Sequence, residues 1–240
     1  MFGRQKENKM IICGMEKFSM VDYDGYIGCT VFTRGCNFLC PFCHNSSLVT
    51  GEAQEIPVEE VFDYLTKRKG LVDAVCITGG EPTMQKGLKD FILRVRALGY
   101  RVKLDTNGTN PTLLRELLQE GLLDYVAMDI KTDFEHYEDV TGVSNPALLE
   151  RVKESVGILK QLAPDYEFRT TAIAEYHSEA NYAAIAEIVR GAKRFFVQKY
   201  KDGETNLTQG ILHEISEQEA EKFLDAVRAV GVQNVGKRGY

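Results

Sequence analysis

Six short apolar segments alternate with amphipathic segments along this chain of 240 residues, and this alternation constrains the fold more than any other feature. The segments predicted as strands are residues 27–33, 74–78, 101–105, 125–130, 168–173 and 194–197. Between them, the spacing of Val58, Val61, Phe62 and Leu65 predicts a helix, because apolar residues at i, i+3, i+4 and i+7 share one helical face. Parallel strands cannot be joined by a hairpin, so repeated strand–helix units predict a parallel sheet with crossover helices. An open doubly wound sheet and a partial or full α/β barrel both satisfy this pattern.

Proline and capping residues indicate where several helices begin. Pro111 and Pro146 are predicted to open helices, because proline is tolerated in the first helical turn. In the segments TNPTLLREL and HEISEQEAEKF, an Asn or a Ser precedes the apolar run, and such residues cap helix N-termini.

Composition and charge narrow the class of protein. Hydrophobic residues make up 44% and charged residues 27% of the chain, which is an ordinary balance for a globular protein. The net charge of −6 argues against a nucleic-acid partner, because such proteins usually carry a basic face. No apolar run is long enough to span a membrane, and residues 1–10 lack the apolar core of a signal peptide. We therefore expect a cytoplasmic protein with no nucleic-acid or membrane partner.

Three cysteines follow the first predicted strand within eight residues: Cys36, Cys40 and Cys43. Structural zinc sites and iron–sulfur cubes normally take four protein ligands. With three, one metal keeps an open position, as in catalytic zinc sites. The other three cysteines are predicted to be buried, unreactive thiols rather than disulfides, because free cysteine packs as a small hydrophobe. They are Cys13, Cys29 and Cys76.

Polar residues gather where the later strands end. Thr-Gly-Gly-Glu at 78–81, Asp-Thr-Asn-Gly at 105–108 and Asp-Ile-Lys at 129–131 each follow a predicted strand. In parallel α/β folds, ligands bind at the carboxyl ends of the strands. These segments therefore indicate site residues rather than core residues.

The motif C-x3-C-x2-C, with Phe42 before the last cysteine, and the motif TGGEP at 78–82 together resemble the radical S-adenosylmethionine (SAM) superfamily. The resemblance spans nearly the whole chain and implies a partial (βα)6 TIM-like barrel of radical SAM type. It implies one domain over residues 1–240, in which residues 1–26 form an N-terminal extension before the first barrel strand. It also implies a [4Fe-4S] cluster on Cys36, Cys40 and Cys43, with SAM chelating the open iron.

The resemblance further implies reductive cleavage of SAM to methionine and a 5′-deoxyadenosyl radical, which takes a hydrogen atom from the substrate. We expect no catalytic triad, because the cofactors carry the chemistry. The residues expected to bind SAM are Phe42, Gly79, Gly80, Glu81, Thr106, Lys131 and Arg169. For Lys131 and Arg169, a surface salt bridge is the alternative. Gly79 and Gly80 would let the backbone approach the ligand, and Glu81 would accept a hydrogen bond from the SAM ammonium. For His44, a polar loop residue and a supporting role beside the cluster both remain open.

Later segments resemble the activases of glycyl-radical enzymes, such as pyruvate formate-lyase activating enzyme. They are KLDTNGT at 103–109, YVAMDIKT at 125–132 and EDVTGVSNPALLE at 138–150. The resemblance implies a monovalent cation held by Asp105, Thr106, Asp129 and the backbone carbonyl of Met128, with strand-end capping as the alternative. Gln198 stands where pyruvate formate-lyase activase has a histidine, so the short activases of anaerobic ribonucleoside-triphosphate reductase are nearer. No cysteine lies between Cys43 and Cys76, so one cluster is expected.

An activase acts on a protein. The implied partners are a glycyl-radical enzyme, above all anaerobic ribonucleotide reductase, and an electron donor of flavodoxin or ferredoxin type. Residues 20–26 are a candidate surface for the partner loop, although packing is the stronger expectation for Tyr23 and Tyr26. Two alternatives stay open: a small-molecule radical SAM enzyme such as 7-carboxy-7-deazaguanine synthase, and a binding module that uses its cysteines for zinc or electron transfer.

Overall fold

The computed structural model describes residues 9–240, so residues 1–8 of the predicted N-terminal extension lie outside the described residues. One sheet of eight strands runs through this part of the chain. The strands are β1 (Ile12–Ser19), β2 (Gly28–Thr33), β3 (Ala74–Gly79), β4 (Arg101–Thr106), β5 (Tyr125–Asp129), β6 (Tyr166–Ala172), β7 (Arg194–Lys199) and β8 (Asn234–Arg238).

The strand order follows the chain from β1 to β8 without a reversal. Strand β1 pairs antiparallel with β2, and every later neighbour in the sheet pairs in parallel. A doubly wound sheet reverses its strand order at a switch point, so this sequential order selects barrel-type winding. Within residues 9–240, β1 and β8 do not pair with each other, and the barrel is therefore partial, as the resemblance implied.

The six predicted strands are β2 to β7, each within two residues of its predicted bounds, but the edge strands β1 and β8 were not predicted. Strand β1 has the sequence ICGMEKFS and is buried at its two ends while its middle is exposed or half-exposed. Strand β8, NVGKR, has no fully buried residue. Neither therefore carries the continuous apolar run by which buried parallel strands are recognised.

Helices flank the sheet: the longer ones pack on its outer face, and two short ones, at 46–50 and 137–141, lie beside residues 34–45. They are α1 (Ser46–Thr50), α2 (Val58–Lys67), α3 (Leu88–Ala97), α4 (Pro111–Gln119), α5 (Tyr137–Thr141), α6 (Pro146–Leu162), α7 (Glu179–Val189) and α8 (Glu217–Ala229). The predicted helix starts are confirmed: Asn110 Oδ1 accepts from Leu113 N at 3.2 Å before α4, and Asn145 Oδ1 caps α6. In residues 9–240, no helix combines the length and apolar character needed to cross a membrane.

The two faces of the sheet differ in chemistry, because successive side chains of a strand point to opposite sides. Facing the helices, the strands carry fully buried apolar side chains, such as Ile77, Leu104 and Phe168. Facing the barrel interior, β6 carries Glu167 and Arg169. The interior is therefore charged, and the candidate site lies in it at the carboxyl ends of the parallel strands.

The loop between β1 and β2 closes the barrel at the amino ends of the parallel strands. The ring of Tyr23 lies 4.7 Å from that of Tyr26 and 5.3 Å from that of Tyr125, which begins β5. Packing, the stronger expectation for these tyrosines, is confirmed, and residues 20–26 lie at the opposite end of the strands from the candidate site. Cys29 and Cys76 are buried free thiols as predicted, but the burial predicted for Cys13 is wrong, because this residue sits on the half-exposed edge strand β1.

Candidate functional site

The three predicted ligand cysteines line one cavity at the carboxyl ends of the strands. The cavity has a volume of about 810 Å³ including its open mouth. Cys40 is buried, whereas Cys36 and Cys43 are half-buried. Burial raises the pKa of the Cys36 thiol to about 12 and that of the Cys40 thiol to about 11. Binding of a metal must therefore displace protons from these thiols.

The cysteines do not converge on one point. In the described part of the chain, no three His, Cys, Asp or Glu side chains are grouped closely enough to hold a single metal ion. An iron–sulfur cube differs from a single ion because its cysteines bind separate irons at the corners of a larger body. Three thiols on one loop, lining a cavity with polar and charged groups, are a donor set that fits such a cluster.

The turn after β3 holds the cysteine loop in place. Gly80 N donates to Thr33 O at 3.0 Å, Glu81 N donates to Gly35 O at 2.7 Å, and Gln85 Nε2 donates to Arg34 O at 2.6 Å. A Cβ atom on Gly79 would lie within 3.0 Å of the Thr33 backbone, and one on Gly80 within 3.0 Å of Gly35 O. Both glycines also line the cavity, but the close approach of two backbone segments is what requires them.

Glu81 is buried where the ends of β3 and β4 meet. Its side chain is 1% exposed and does not line the cavity. Oε1 accepts from Thr106 Oγ1 at 2.7 Å and from both Thr83 N and Thr83 Oγ1, and Oε2 accepts from Asn107 N at 2.6 Å. With four donors already satisfied, the carboxylate joins the ends of β3 and β4. A hydrogen bond from the SAM ammonium to this carboxylate stays a prediction.

Five charged side chains on β4, β5 and β6 and just after β5 form a chain of alternating sign. Lys103 Nζ lies 3.2 Å from Asp105 Oδ1, and Arg169 Nη2 lies 3.2 Å from Asp105 Oδ2. Arg169 Nε lies 2.5 Å from Asp129 Oδ1, and Lys131 Nζ lies 2.8 Å from Asp129 Oδ2. Three cations and two carboxylates leave this charged chain with one excess positive charge.

The members of this charged chain keep each other ionised. Burial alone would raise the pKa of Asp105, but Arg169 and Lys103 hold it below its usual value. Burial acts in the same direction on Asp129, and Arg169 and Lys131 hold its pKa well below the usual range. Burial would lower the pKa of Lys131, and Asp129 raises it instead. Four of the five side chains line the cavity, Asp105, Asp129, Lys131 and Arg169, whereas Lys103 does not. The wall therefore offers two cations, each paired with an aspartate, as groups that suit a carboxylate ligand.

Two further predicted SAM residues meet at the cavity wall. Lys131 Nζ lies 5.9 Å from the centre of the Phe42 ring, and Phe42 itself is buried. Lys131 is held by its backbone as well, because its carbonyl accepts from His177 Nε2 at 2.9 Å. His177 Nδ1 in turn accepts from Ile173 N at 3.1 Å, so the neutral imidazole joins the segments after β5 and β6.

The predicted cation site has other partners. Each of the four carboxylate oxygens of Asp105 and Asp129 lies within 3.2 Å of a Lys or Arg nitrogen. Thr106 Oγ1 donates to Glu81, and Met128 is fully buried beneath the cavity. Lysine and arginine thus already supply the counter-charge that a monovalent cation would bring, and a cation here stays a prediction.

Several residues of the site were not predicted. Asn45, Asn107 and Thr171 line the cavity, and Asn45 Nδ2 donates to Gly79 O at 3.4 Å. Asn107 belongs to the Asp-Thr-Asn-Gly segment that was predicted to hold site residues, so only Asn45 and Thr171 were missed altogether. Gln198 faces the same side of the sheet as its register partner Thr171. Within residues 9–240, the side chains of Thr171 and Gln198 make no hydrogen bond.

A long connection between β7 and α8 covers the outer side of the cysteine loop. Leu207 N donates to Cys43 O at 3.2 Å, and Thr208 N donates to Pro41 O at 2.8 Å. The His44 ring lines the cavity and stacks on Tyr200, with 6.0 Å between ring centres. Of the two interpretations of His44, a supporting role beside the cysteines fits this position better.

Comparisons with known proteins agree with this site. The family model of the radical SAM superfamily matches residues 30–189. The "Putative glycyl-radical enzyme activating enzyme MJ1227" of Methanocaldococcus jannaschii is 31% identical over 199 residues, which cover 80% of this chain and 81% of the relative. The 7-carboxy-7-deazaguanine synthase of Methanopyrus kandleri is 36% identical over 118 residues, which cover 40% of this chain and 46% of that protein.

Among solved structures, Streptococcus suis SuiB bound to S-adenosylmethionine superimposes with a TM-score of 0.68 at 16% identity. The superposition covers 85% of this chain and 48% of SuiB, and at this identity it supports the fold alone. The matched residues 30–189 contain most of β2 and all of β3 to β6, with the cysteine loop and the charged chain. Fold, cysteine motif and family match together show that the chain belongs to the radical SAM superfamily, whose members use a [4Fe-4S] cluster and SAM.

Proposed function

We propose that this chain is a glycyl-radical enzyme activase that takes a hydrogen atom from a glycine Cα of anaerobic ribonucleoside-triphosphate reductase. When bound, the cluster and SAM supply a 5′-deoxyadenosyl radical, a chemistry that no side chain of the cavity offers. A flavodoxin or ferredoxin-type protein donates the electron, and we place the reaction in the cytoplasm.

The observation that carries this proposal is the extent of the likeness to the Methanocaldococcus jannaschii relative. It covers 80% of this chain and 81% of the relative, so the two proteins correspond over most of their lengths. The likeness to the deazaguanine synthase covers 40% of this chain. A shared cofactor site is enough to account for the partial match to the deazaguanine synthase. The match to the Methanocaldococcus jannaschii relative also includes regions outside the cofactor site.

The residues of the cavity divide the work of binding between them. Cys36, Cys40 and Cys43 hold the cluster. Lys131 and Arg169 would bind the carboxylate of SAM, because charge-assisted hydrogen bonds are stronger than neutral ones. Phe42 packs beside Lys131 and limits access of water to that side of the cavity.

A partner loop needs an open path to the cavity. Because β1 and β8 do not pair in the described part of the chain, the barrel wall is interrupted between them. A glycine offers no side chain, so its recognition depends on its backbone amides. The hydroxyl of Thr171 and the amide of Gln198, which have no hydrogen-bond partner among residues 9–240, lie side by side on the interior face and can bind such a backbone.

The proposal is tested by an assay for the glycyl radical itself. The chain is reconstituted anaerobically with iron and sulfide, then incubated with SAM, a reductant and the anaerobic reductase of the source organism. We expect a glycyl-radical signal in electron paramagnetic resonance and about one 5′-deoxyadenosine per radical. The variant Cys40→Ala serves as the control and gives no signal. The absence of a radical with every glycyl-radical enzyme of that organism would refute the proposal.

The sequence identity of 36% to 7-carboxy-7-deazaguanine synthase makes the activity of that enzyme the second candidate function. The same preparation is supplied with the substrate of the synthase, and the products are separated by mass spectrometry. Formation of 7-carboxy-7-deazaguanine without any glycyl radical would select this alternative.

A further inference from the structure

Three side chains close a ring of hydrogen bonds between the cysteine loop and the end of β4. Asn37 Nδ2 donates to Thr109 Oγ1 at 2.8 Å, and Thr109 Oγ1 donates to Asn107 Oδ1 at 2.7 Å. Asn107 Nδ2 donates to Asn37 Oδ1 at 2.9 Å, which completes the ring. Each member donates once and accepts once around the ring, so all three side chains are satisfied together.

The ring fixes the orientation of the Asn107 amide. Its Oδ1 accepts from Thr109 Oγ1 and also from Thr109 N at 3.0 Å. A flipped amide would set its NH2 group against the Thr109 N–H, so the flip is unfavourable. Asn107 and Thr109 are 5% and 4% exposed, and water therefore does not substitute for these contacts.

With this orientation, the second N–H of the Asn107 amide is free for Cys36. Asn107 Nδ2 lies 3.9 Å from Cys36 Sγ, and Phe38 N donates to the same sulfur at 3.4 Å. The Asn107 backbone is fixed as well, because its N–H donates to the buried Glu81 carboxylate at 2.6 Å. The amide is thus anchored at three points, and its remaining donor faces a sulfur that binds the cluster.

Hydrogen bonds to cluster sulfurs raise the reduction potential, because the added electron increases the negative charge on those sulfurs. We propose that the Asn37–Thr109–Asn107 ring aims the Asn107 N–H at Cys36 Sγ and thereby raises the reduction potential of the cluster. Asn107 and Thr109 are then positioning residues, and Thr109 acts through Asn107. This inference needs the cluster on Cys36, but it needs neither SAM nor a particular partner.

The test measures the midpoint potential of the reconstituted cluster without SAM, by a redox titration followed by electron paramagnetic resonance. For Asn107→Ala we expect a three- to tenfold lower ratio of reduced to oxidised cluster at the wild-type midpoint. This corresponds to about 30–60 mV for a one-electron couple. Thr109→Val is expected to shift the midpoint in the same direction, whereas Thr109→Ser keeps the hydroxyl and the wild-type value. Thr112→Val, at an exposed position of α4, controls for the substitution itself.

A double-mutant cycle separates this role from a general structural one. If Thr109 acts through Asn107, the variant carrying both Asn107→Ala and Thr109→Val has the midpoint of Asn107→Ala alone. Equal midpoints for wild type and Asn107→Ala would overturn the proposal, as would a Thr109→Val shift that persists without Asn107. Iron content is measured for every variant, so that loss of cluster is not read as a change of potential.

A measurement on the unaltered chain covers the case in which the variants lose their cluster. The asparagine side chains are labelled with ¹⁵N, and the reduced cluster is examined by pulsed electron paramagnetic resonance. A ¹⁵N coupling supports the N–H to sulfur contact, and its absence overturns the inference. Because the titration omits SAM and the reductase, a failure here is distinguishable from a failure of the proposed activase function.

Discussion

Replacing Arg169 with methionine removes the central member of the charged chain. Arg169 bridges Asp105 and Asp129, and the three side chains are 13%, 15% and 23% exposed. Removing one partner of a buried ion pair destabilises a protein by roughly 3–5 kcal/mol. Lys103 and Lys131 remain as partners of the two carboxylates, so we expect about 2–3 kcal/mol for Arg169→Met. In a chain of this size, that corresponds to a fall in Tm of roughly 5–10 °C.

The effect also depends on pH in a defined direction. Both carboxylates have a folded-state pKa below the usual value, so their stabilising contribution is complete above the unfolded pKa of about 3.9. It is lost as the pH falls through the folded pKa values. The difference between wild type and Arg169→Met is therefore largest above about pH 5 and shrinks below about pH 4.

Thermal unfolding followed by circular dichroism between pH 3 and pH 8 measures both effects. Arg190→Met is the matched control, because its ion pair with Glu187 is more than half exposed, and its Tm should change little. A Tm of Arg169→Met equal to that of Arg190→Met, or a difference from wild type that does not vary with pH, would refute the reasoning.

Three further predictions concern the turn after β3 and the cation. Glu81→Gln lowers the free energy of unfolding, measured in urea, by about 1–3 kcal/mol, because the carboxylate accepts four buried hydrogen bonds. If the variant instead keeps its stability and binds SAM more weakly, the result supports the predicted contact between Glu81 and the SAM ammonium. Gly80→Ala destabilises the chain by roughly 1–3 kcal/mol and lowers its iron content, because its Cβ would meet Gly35 O. Gly157→Ala, in open space on α6, is the control and stabilises by about 0.5–1 kcal/mol. SAM affinity measured by calorimetry is unchanged when potassium replaces sodium or lithium, since Lys and Arg already neutralise both aspartates; a marked dependence would support the predicted cation.

The central strands and the position of the site were predictable because they depend on local sequence. Buried parallel strands are apolar runs, and the loops that follow them carry the ligands in this class of fold. The cysteine spacing and the segments beginning at Thr78, Asp105 and Asp129 therefore pointed to one end of the sheet. The structure brings all of these segments to that end.

What the sequence did not reveal depends on pairing across distant segments. The role of Gly80 follows from the approach of the β3 turn to the cysteine loop, and that of Glu81 from its approach to the end of β4. No spacing within these segments specifies either contact. The Asn37–Thr109–Asn107 ring joins Asn37 to two residues that lie 70 and 72 positions further along the chain. The cover over Cys43 comes from the connection after β7, whose polar sequence carries no motif.

The central claim is that three cysteines hold a cluster whose remaining iron binds SAM. The most direct test is the iron content of anaerobically reconstituted chain, combined with the electron paramagnetic resonance spectrum of the reduced cluster before and after SAM is added. We expect about four irons per chain and a spectrum altered by SAM for wild type and for Cys76→Ala, and loss of both for Cys40→Ala. A wild-type spectrum that SAM leaves unchanged, or a full complement of iron in Cys40→Ala, would contradict the claim.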